Sequence, residues 1–197
     1  KSKILIISHI GRPKGRINND LSLKPICKNL ESKTDQKIKL VKENIYKIKK
    51  DDLFKNSKYK IIFLENIRFY EEEENNDTIF SKNLAELADI FVNDAFSCSH
   101  RAHSSVTKIT KFLPSFAGLQ LETEISALSI NDTSITKFEK NKIISKVFGN
   151  SIQNSFNASE RRDCSDEVSA SNLTVITGFG EATPARYTLS WIRLSQD

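Results

Sequence analysis

The chain has 197 residues, 38% of them hydrophobic and 28% charged, with a formal net charge of +5 and three cysteines. That length suffices for one well-packed domain, or for one domain and part of another. The basic excess is interleaved with acidic runs and forms no basic helix or aromatic-rich patch, and no secretory signal or membrane span is evident, so neither nucleic acid nor membrane is indicated as a partner. Three cysteines without evident pairing suit a reducing compartment and a cytoplasmic location.

The first element is the apolar run Ile4-Leu5-Ile6-Ile7, which ends in the Gly- and Pro-punctuated turn SHIGRPKG, residues 8–15. This pattern reads as a buried parallel strand entering a loop that carries His9, Arg12 and Lys14. Gly11 and Gly15 permit positive φ or close backbone approach. Ser22 is placed to cap a helix that tolerates Pro25 in its first turn and aligns Leu23, Cys27 and Leu30 on one face. A short strand is expected over Lys37–Val41 and a longer one over Tyr59–Leu64, followed by the loop Glu65-Asn66-Ile67-Arg68-Phe69. The acidic run Glu71–Glu74 reads as a solvated face, because consecutive residues cannot all turn toward one ion. Asp77 precedes a helix striped by Phe80, Leu84 and Leu87. A third apolar run, Ile90–Phe96, leads into SCSHRAHSS, residues 97–105, and a helix is predicted over Gly118–Asn131 with Leu121, Ile125 and Leu128 on one face. Strands alternating with helices argue for an α/β fold with a parallel sheet flanked by helices.

In such sheets ligands bind in the loops at the carboxyl ends of the strands. Three strand ends here deliver Arg12, Arg68 and Arg101, and all three histidines (His9, His100 and His103) fall on the same loops. The planar fork of arginine matches carboxylate and phosphate oxygens, so the constellation predicts a site for a small, multiply charged anion. No covalent nucleophile is expected; Cys98 reads as a small residue filling a strand-end turn. No metal site is expected.

The segments SHIGRPKG, LENIRFYEEEENND and VNDAFSCSHRAHSS, in this order and at these separations, resemble the amino-terminal domain of phosphoglycerate kinase over roughly Lys3 to Glu124. The resemblance implies a Rossmann-like α/β domain that binds phosphoglycerate in a basic patch. The family's activity is reversible phosphoryl transfer between 1,3-bisphosphoglycerate and ADP, giving 3-phosphoglycerate and ATP. Its co-substrate is Mg-ATP or Mg-ADP, with no tightly bound cofactor, and its members are cytoplasmic, glycolytic and monomeric. By the resemblance, His9, Ile10, Gly11 and Arg12 of the HxGRP motif, Arg68 of ENxRF and Arg101 of HRAH contact substrate. The catalytic residues stay unassigned: the family's upstream RVDFN-like strand, whose Asp and Asn bind substrate, has no counterpart here. The chain starts at Lys1 and contains no methionine, and is expected to be a fragment with little activity alone.

Three regions are therefore expected: residues 1–124 as the phosphoglycerate-binding domain lacking its first strand, 125–172 as a helix followed by a polar linker or degenerate stretch, and 173–197 as a remnant of the nucleotide-binding domain. The last rests on Leu173–Thr177 entering a Gly-containing turn similar to the family's phosphate-receiving GGGDT loop, which puts Gly178, Phe179, Gly180, Glu181 and Ala182 beside nucleotide. The missing first strand should leave unpaired backbone and exposed apolar surface in a sheet meant to be covered on both faces. Two other readings fit the charges: a non-catalytic anion-binding remnant, and a basic nucleic-acid-binding module, which would show steep salt dependence without preference for phosphoglycerate.

Overall fold

The apolar runs become strands of a single sheet. The computed structural model describes residues 3–34, 36–54, 58–130 and 173–177. Within it β1 (Lys3–Ile7), β2 (Ile38–Val41), β3 (Ile61–Leu64), β4 (Ile90–Asn93), β5 (Ser115–Ala117) and β6 (Leu173–Thr177) lie in the order β2-β3-β1-β6-β4-β5. Every pairing is parallel, so all carboxyl ends lie along one edge. The fold is the expected α/β arrangement, a parallel sheet flanked by helices.

The helices are α1 (Lys24–Thr34), α2 (Lys50–Phe54), α3 (Glu71–Glu74), α4 (Thr78–Ala85) and α5 (Leu119–Ile130). Alternation along the strands divides the core between the two sheet faces. Leu5 and Ile7 of β1, with Ile62, Leu64 and Phe91 of other strands, pack with Phe80, Leu84 and Leu87 in and after α4. Ile6, Ile61 and Phe63 point the other way, onto Leu23, Cys27 and Leu30. Each fully buried side chain of this kind stabilises the fold by roughly 1.5–3 kcal/mol relative to exposure. Local signals agree with this packing: the Asp77 carboxylate accepts from Phe80 N–H at 2.7 Å and caps α4. The edge strand β5 and the short α2 were not anticipated, since three residues of mixed polarity and the isolated pair Leu53-Phe54 carry little periodic signal.

β6 departs most from expectation. It does not stand apart from the first unit but runs between β1 and β4, in register from Lys3↔Leu173 to Ile7↔Thr177 on one side and from Ile90↔Thr174 to Asn93↔Thr177 on the other. Backbone expected to be unpaired is therefore paired along β1 and β4, which β6 bridges into one sheet. The physical reason is that Leu-Thr-Val-Ile-Thr is rich in β-branched residues and two facing strands offer it a full set of backbone partners. Residues 125–130 continue α5; the polar stretch expected after it and the turn Gly178–Ala182 lie outside the described residues.

Candidate functional site

The loops leaving β1, β3 and β4 meet at the carboxyl edge of the sheet. Asn66, immediately after β3, ties the first two together. It is fully buried, and its side-chain amide donates to the carbonyls of Ile10 at 2.8 Å and Leu21 at 2.9 Å. Its Oδ1 accepts from Arg68 N–H at 3.1 Å, shaping the helical turn Ile67–Phe69 that carries the arginine. Glu65 performs the same service toward α1, accepting from Leu23 N–H and Ser22 Oγ, both at 2.7 Å. Burial opposes its ionisation, yet these donors, Asn66 N–H and nearby Lys42 together pull its pKa below the usual carboxylate range.

Arg68 is 1% exposed, although arginine is seldom buried without a partner. Its Nη1 donates to the carbonyl of Gly11 at 3.0 Å, and its Nε lies 3.8 Å from the Glu74 carboxylate. Neither Nε nor Nη2 has a hydrogen-bond partner among the described residues, and the same holds for Nε of the half-buried Arg101. Burial, and then the neighbouring Arg101, lower the pKa of Arg68. The two cations are held in each other's field with donors unspent. Gly15 lets the first loop close over this region: with φ of 71° it donates to the carbonyl of Arg68 at 3.2 Å, and a Cβ there would meet Glu71 Cβ at 2.8 Å.

The remaining predicted residues distribute as follows. His9 is half-buried, with Nε2 4.0 Å from Cys98 Sγ, so the first and third loops touch. Ile10 contributes its carbonyl to Asn66, while its side chain packs on the core beside Ile6. Arg12, Lys14 and His100 are exposed on their loops. His103 is half-buried with Nδ1 3.8 Å from Glu73; burial, Arg68, Arg101 and His100 lower its pKa against the pull of Glu74. Arg68, Gly11, His9 and Arg101 are thus carried by loops that touch one another, and Arg12 is exposed on the first of these loops. Among the described residues no cluster of three or more His, Cys, Asp or Glu is placed to hold a metal ion, and no helix is long and apolar enough to cross a membrane.

The acidic run requires a correction. Glu71–Glu74 is not uniformly solvated: it forms α3, and Glu73 is 2% exposed. Its carboxylate accepts from Ser105 N–H at 2.9 Å and Ser105 Oγ at 2.5 Å. Burial pushes its pKa up to about 7 against these donations and the field of Arg68. A signal existed in the sequence: Glu73 follows by three residues Tyr70, the extended residue that opens α3 and packs on the core. Asn66 and Ser105 were likewise missed as organisers, because their roles depend on contacts between loops distant in sequence.

The model of the phosphoglycerate kinase family matches residues 1–177. The chain belongs to this family. It is 46% identical over 151 residues to phosphoglycerate kinase of Wolbachia sp. subsp. Brugia malayi, covering 77% of this chain and 37% of that protein. With phosphoglycerate kinase of Wolbachia sp. subsp. Drosophila simulans the identity is 50% over 127 residues, covering 64% and 32%. Among solved structures, the phosphoglycerate kinase of Coxiella burnetii superposes with a TM-score of 0.58 at 32% identity, over 68% of this chain and 33% of that one. That of Pyrococcus horikoshii OT3, at 21% identity and a TM-score of 0.53 over 90% and 52%, shares the fold. The chain spans about a third of the length of the curated phosphoglycerate kinases it matches.

Proposed function

We propose that this chain is the phosphoglycerate-binding part of a phosphoglycerate kinase, holding the acidic, phosphorylated substrate on Arg68 and Arg101, with Arg12, His9 and the Ile10-Gly11 backbone completing the cradle. One observation carries the reading: the buried Arg68 and the half-buried Arg101, each with unspent donors, lie in each other's field at the carboxyl edge of a parallel sheet. Buried donors without acceptors are costly, and a multiply charged oxyanion supplies the acceptors that the protein does not.

Phosphoryl transfer passes through a loose transition state, so the protein's work is positioning and charge stabilisation, with no covalent nucleophile needed. In this chain Arg68 is fixed by Gly11 and Asn66 and presents its remaining donors to the substrate. Arg101 would neutralise further charge, and Arg12 would close the solvent side. The reversible transfer between 1,3-bisphosphoglycerate and ADP, with Mg-nucleotide as co-substrate, belongs to the whole family protein. Gly178, Phe179, Gly180, Glu181 and Ala182, the residues proposed for nucleotide, lie outside the described residues, and this chain alone is expected to turn over little. The proposed setting is a monomeric, glycolytic enzyme of the cytoplasm.

The test is a thermal melt with increasing 3-phosphoglycerate. A ligand that binds only the folded state adds about 2.7 kcal/mol at a hundredfold excess over its dissociation constant. A saturable upward shift that Arg101→Ala weakens or removes is expected. A cooperative melt that 3-phosphoglycerate leaves unmoved would overturn the reading.

A further inference from the structure

Beside the arginines lies a buried carboxylate, Glu73, that none of the preceding chemistry uses. Glu73 sits on α3, just after the turn that holds Arg68, while its two donors come from Ser105, four residues after Arg101. Ser104 adds two more bonds in the same place, its Oγ donating to the carbonyls of Glu72 at 2.8 Å and Asp77 at 3.3 Å. The helical turn Ser104–Lys108 is thereby fastened to α3 through Glu73 and Glu72, with the Asp77 carbonyl beyond α3 sharing the single Ser104 hydroxyl proton, and Ser104 and Ser105 are both buried. The first loop meets the same helix, where Gly15 leaves no room for a Cβ beside Glu71. Three loops from three strands are therefore gauged against one short helix. An ionisable group buried this deeply is expensive unless its acceptors are filled, and both Glu73 oxygens are filled from the segment that follows Arg101.

We propose that Glu73 is a positioning residue of the anion site: by clamping Ser105 it sets the separation of Arg68 and Arg101 before any ligand arrives. The inference rests on the reading that these arginines receive an anionic substrate. Glu73 has no need to touch that substrate; its effect passes through the two arginine-bearing segments. Such preorganisation matters because an arginine pair misplaced by about 1 Å cannot make its charged bonds together, and supporting residues commonly decide whether a site is productive.

The experiment uses two variants that preserve charge at the clamp or leave it untouched. Glu73→Asp retracts the carboxylate by one methylene from both Ser105 donors, and Ser105→Ala removes the hydroxyl donor alone. Ser81→Ala is the control, deleting an equally buried hydroxyl whose bond, 2.6 Å to the Asp77 carbonyl, stays within the α4 region. Sulfate, doubly charged throughout the working pH range, and 3-phosphoglycerate are titrated calorimetrically well below the melting transition, so intrinsic affinity is read apart from stability. Glu73→Asp is expected to weaken sulfate binding about tenfold, the equivalent of roughly 1.4 kcal/mol, with Ser105→Ala smaller in the same direction and Ser81→Ala unchanged. A clamp that served stability alone would lower the ligand-free melts of Glu73→Asp and Ser105→Ala and leave their affinities equal to the parent's, which overturns the proposal. If Glu73→Asp fails to fold, Ser105→Ala decides alone: unchanged affinity overturns the proposal, and weakened affinity supports it. Wild-type protein that binds sulfate but not 3-phosphoglycerate would sink the substrate assignment while the variants still judge the clamp. Wild-type protein that binds neither would remove the anion site and this proposal with it.

Discussion

Replacing Arg68 by methionine tests whether the ligand-free protein carries the cost of its own binding site. The substitution keeps a straight, apolar chain of similar reach and deletes the guanidinium. In the unliganded protein two donors of that group, Nε and Nη2, are buried without hydrogen-bond partners among the described residues. Each such donor costs about 1–3 kcal/mol, so their removal is worth about 2–6 kcal/mol. Against this stands the charged bond to the Gly11 carbonyl at 3.0 Å, worth about 1.5–3 kcal/mol. The 3.8 Å pair with the partly exposed Glu74 adds at most about 1 kcal/mol. Relief of the repulsion between Arg68 and Arg101 acts in the same direction as the deletion. Taken at their midpoints these opposing terms leave Arg68→Met about 1 kcal/mol more stable than the parent without ligand. Urea denaturation at fixed ionic strength, with and without 3-phosphoglycerate, measures both sides. The parent should gain about 2.7 kcal/mol at a hundredfold excess over its dissociation constant, and the variant nothing, so the order of stability narrows or reverses when ligand is added. A variant destabilised by more than about 1 kcal/mol without ligand would refute the reasoning, as would a variant that still responds to the ligand.

Three further outcomes follow from the same contacts. Gly118→Ala would place a Cβ 2.6 Å from Asp94 Cγ, displacing the carboxylate that accepts from Leu121 N–H at 3.0 Å at the start of α5; lost capping and overpacking should together cost about 2–4 kcal/mol in urea, and a loss below 1 kcal/mol would contradict the contact. Asn66→Asp replaces an amide donor with a carboxylate facing the carbonyls of Ile10 and Leu21; a cost of about 2–5 kcal/mol is expected, larger than that of Asn66→Ala, and equal losses would count against the assigned amide orientation. For pH, burial raises Glu73 from the ordinary 4.5 to about 7 and Asp94 from 3.8 to about 6. The folded state then binds protons that the unfolded chain has released, so these groups favour folding at low pH and that advantage is lost as pH rises through these values. Comparing denaturation of the parent with Glu73→Gln between pH 5 and pH 7 should expose a slope difference approaching about 1.4 kcal/mol per pH unit. Parallel profiles would mean that Glu73 titrates normally.

Legibility in the sequence tracked how local each cause was. The strands around Leu5, Phe63 and Phe91 and the helix stripe Phe80-Leu84-Leu87 declare themselves by spacing, and they became the core. The loops carrying Arg68 and Arg101 were legible as basic strand ends, since a parallel sheet puts such ends on one edge. What the sequence did not reveal was which polar residues organise that edge. Asn66 and Ser105 look like ordinary loop residues, and apart from its spacing from Tyr70 so does Glu73; the bonds that bury them join positions 32 or more apart. The acidic run misled for the same reason: composition describes four glutamates alike, whereas a single helical turn sends one of them inward.

The place of β6 shows how a feature outside the site can govern it. Parallel strands lie about 4.8 Å apart, so β1 and β4, separated by one strand, stand roughly 10 Å apart. If β1 and β4 paired directly, the loop bearing His9 and Arg12 would be crowded onto the loop bearing Arg101, and the guanidiniums of Arg68 and Arg101 would repel at shorter range. With β6 between them the loops reach toward one another across its end, and His9 meets Cys98 at 4.0 Å instead of colliding with it. On the proposed reading, the sheet order sets the width of the anion cradle, and Asn66 and the Glu73–Ser105 clamp fix the register of its loops. Width comes from backbone pairing that many sequences could supply, which is why a segment 80 residues after β4 can serve. The register comes from particular side chains, and there substitution should be least forgiving.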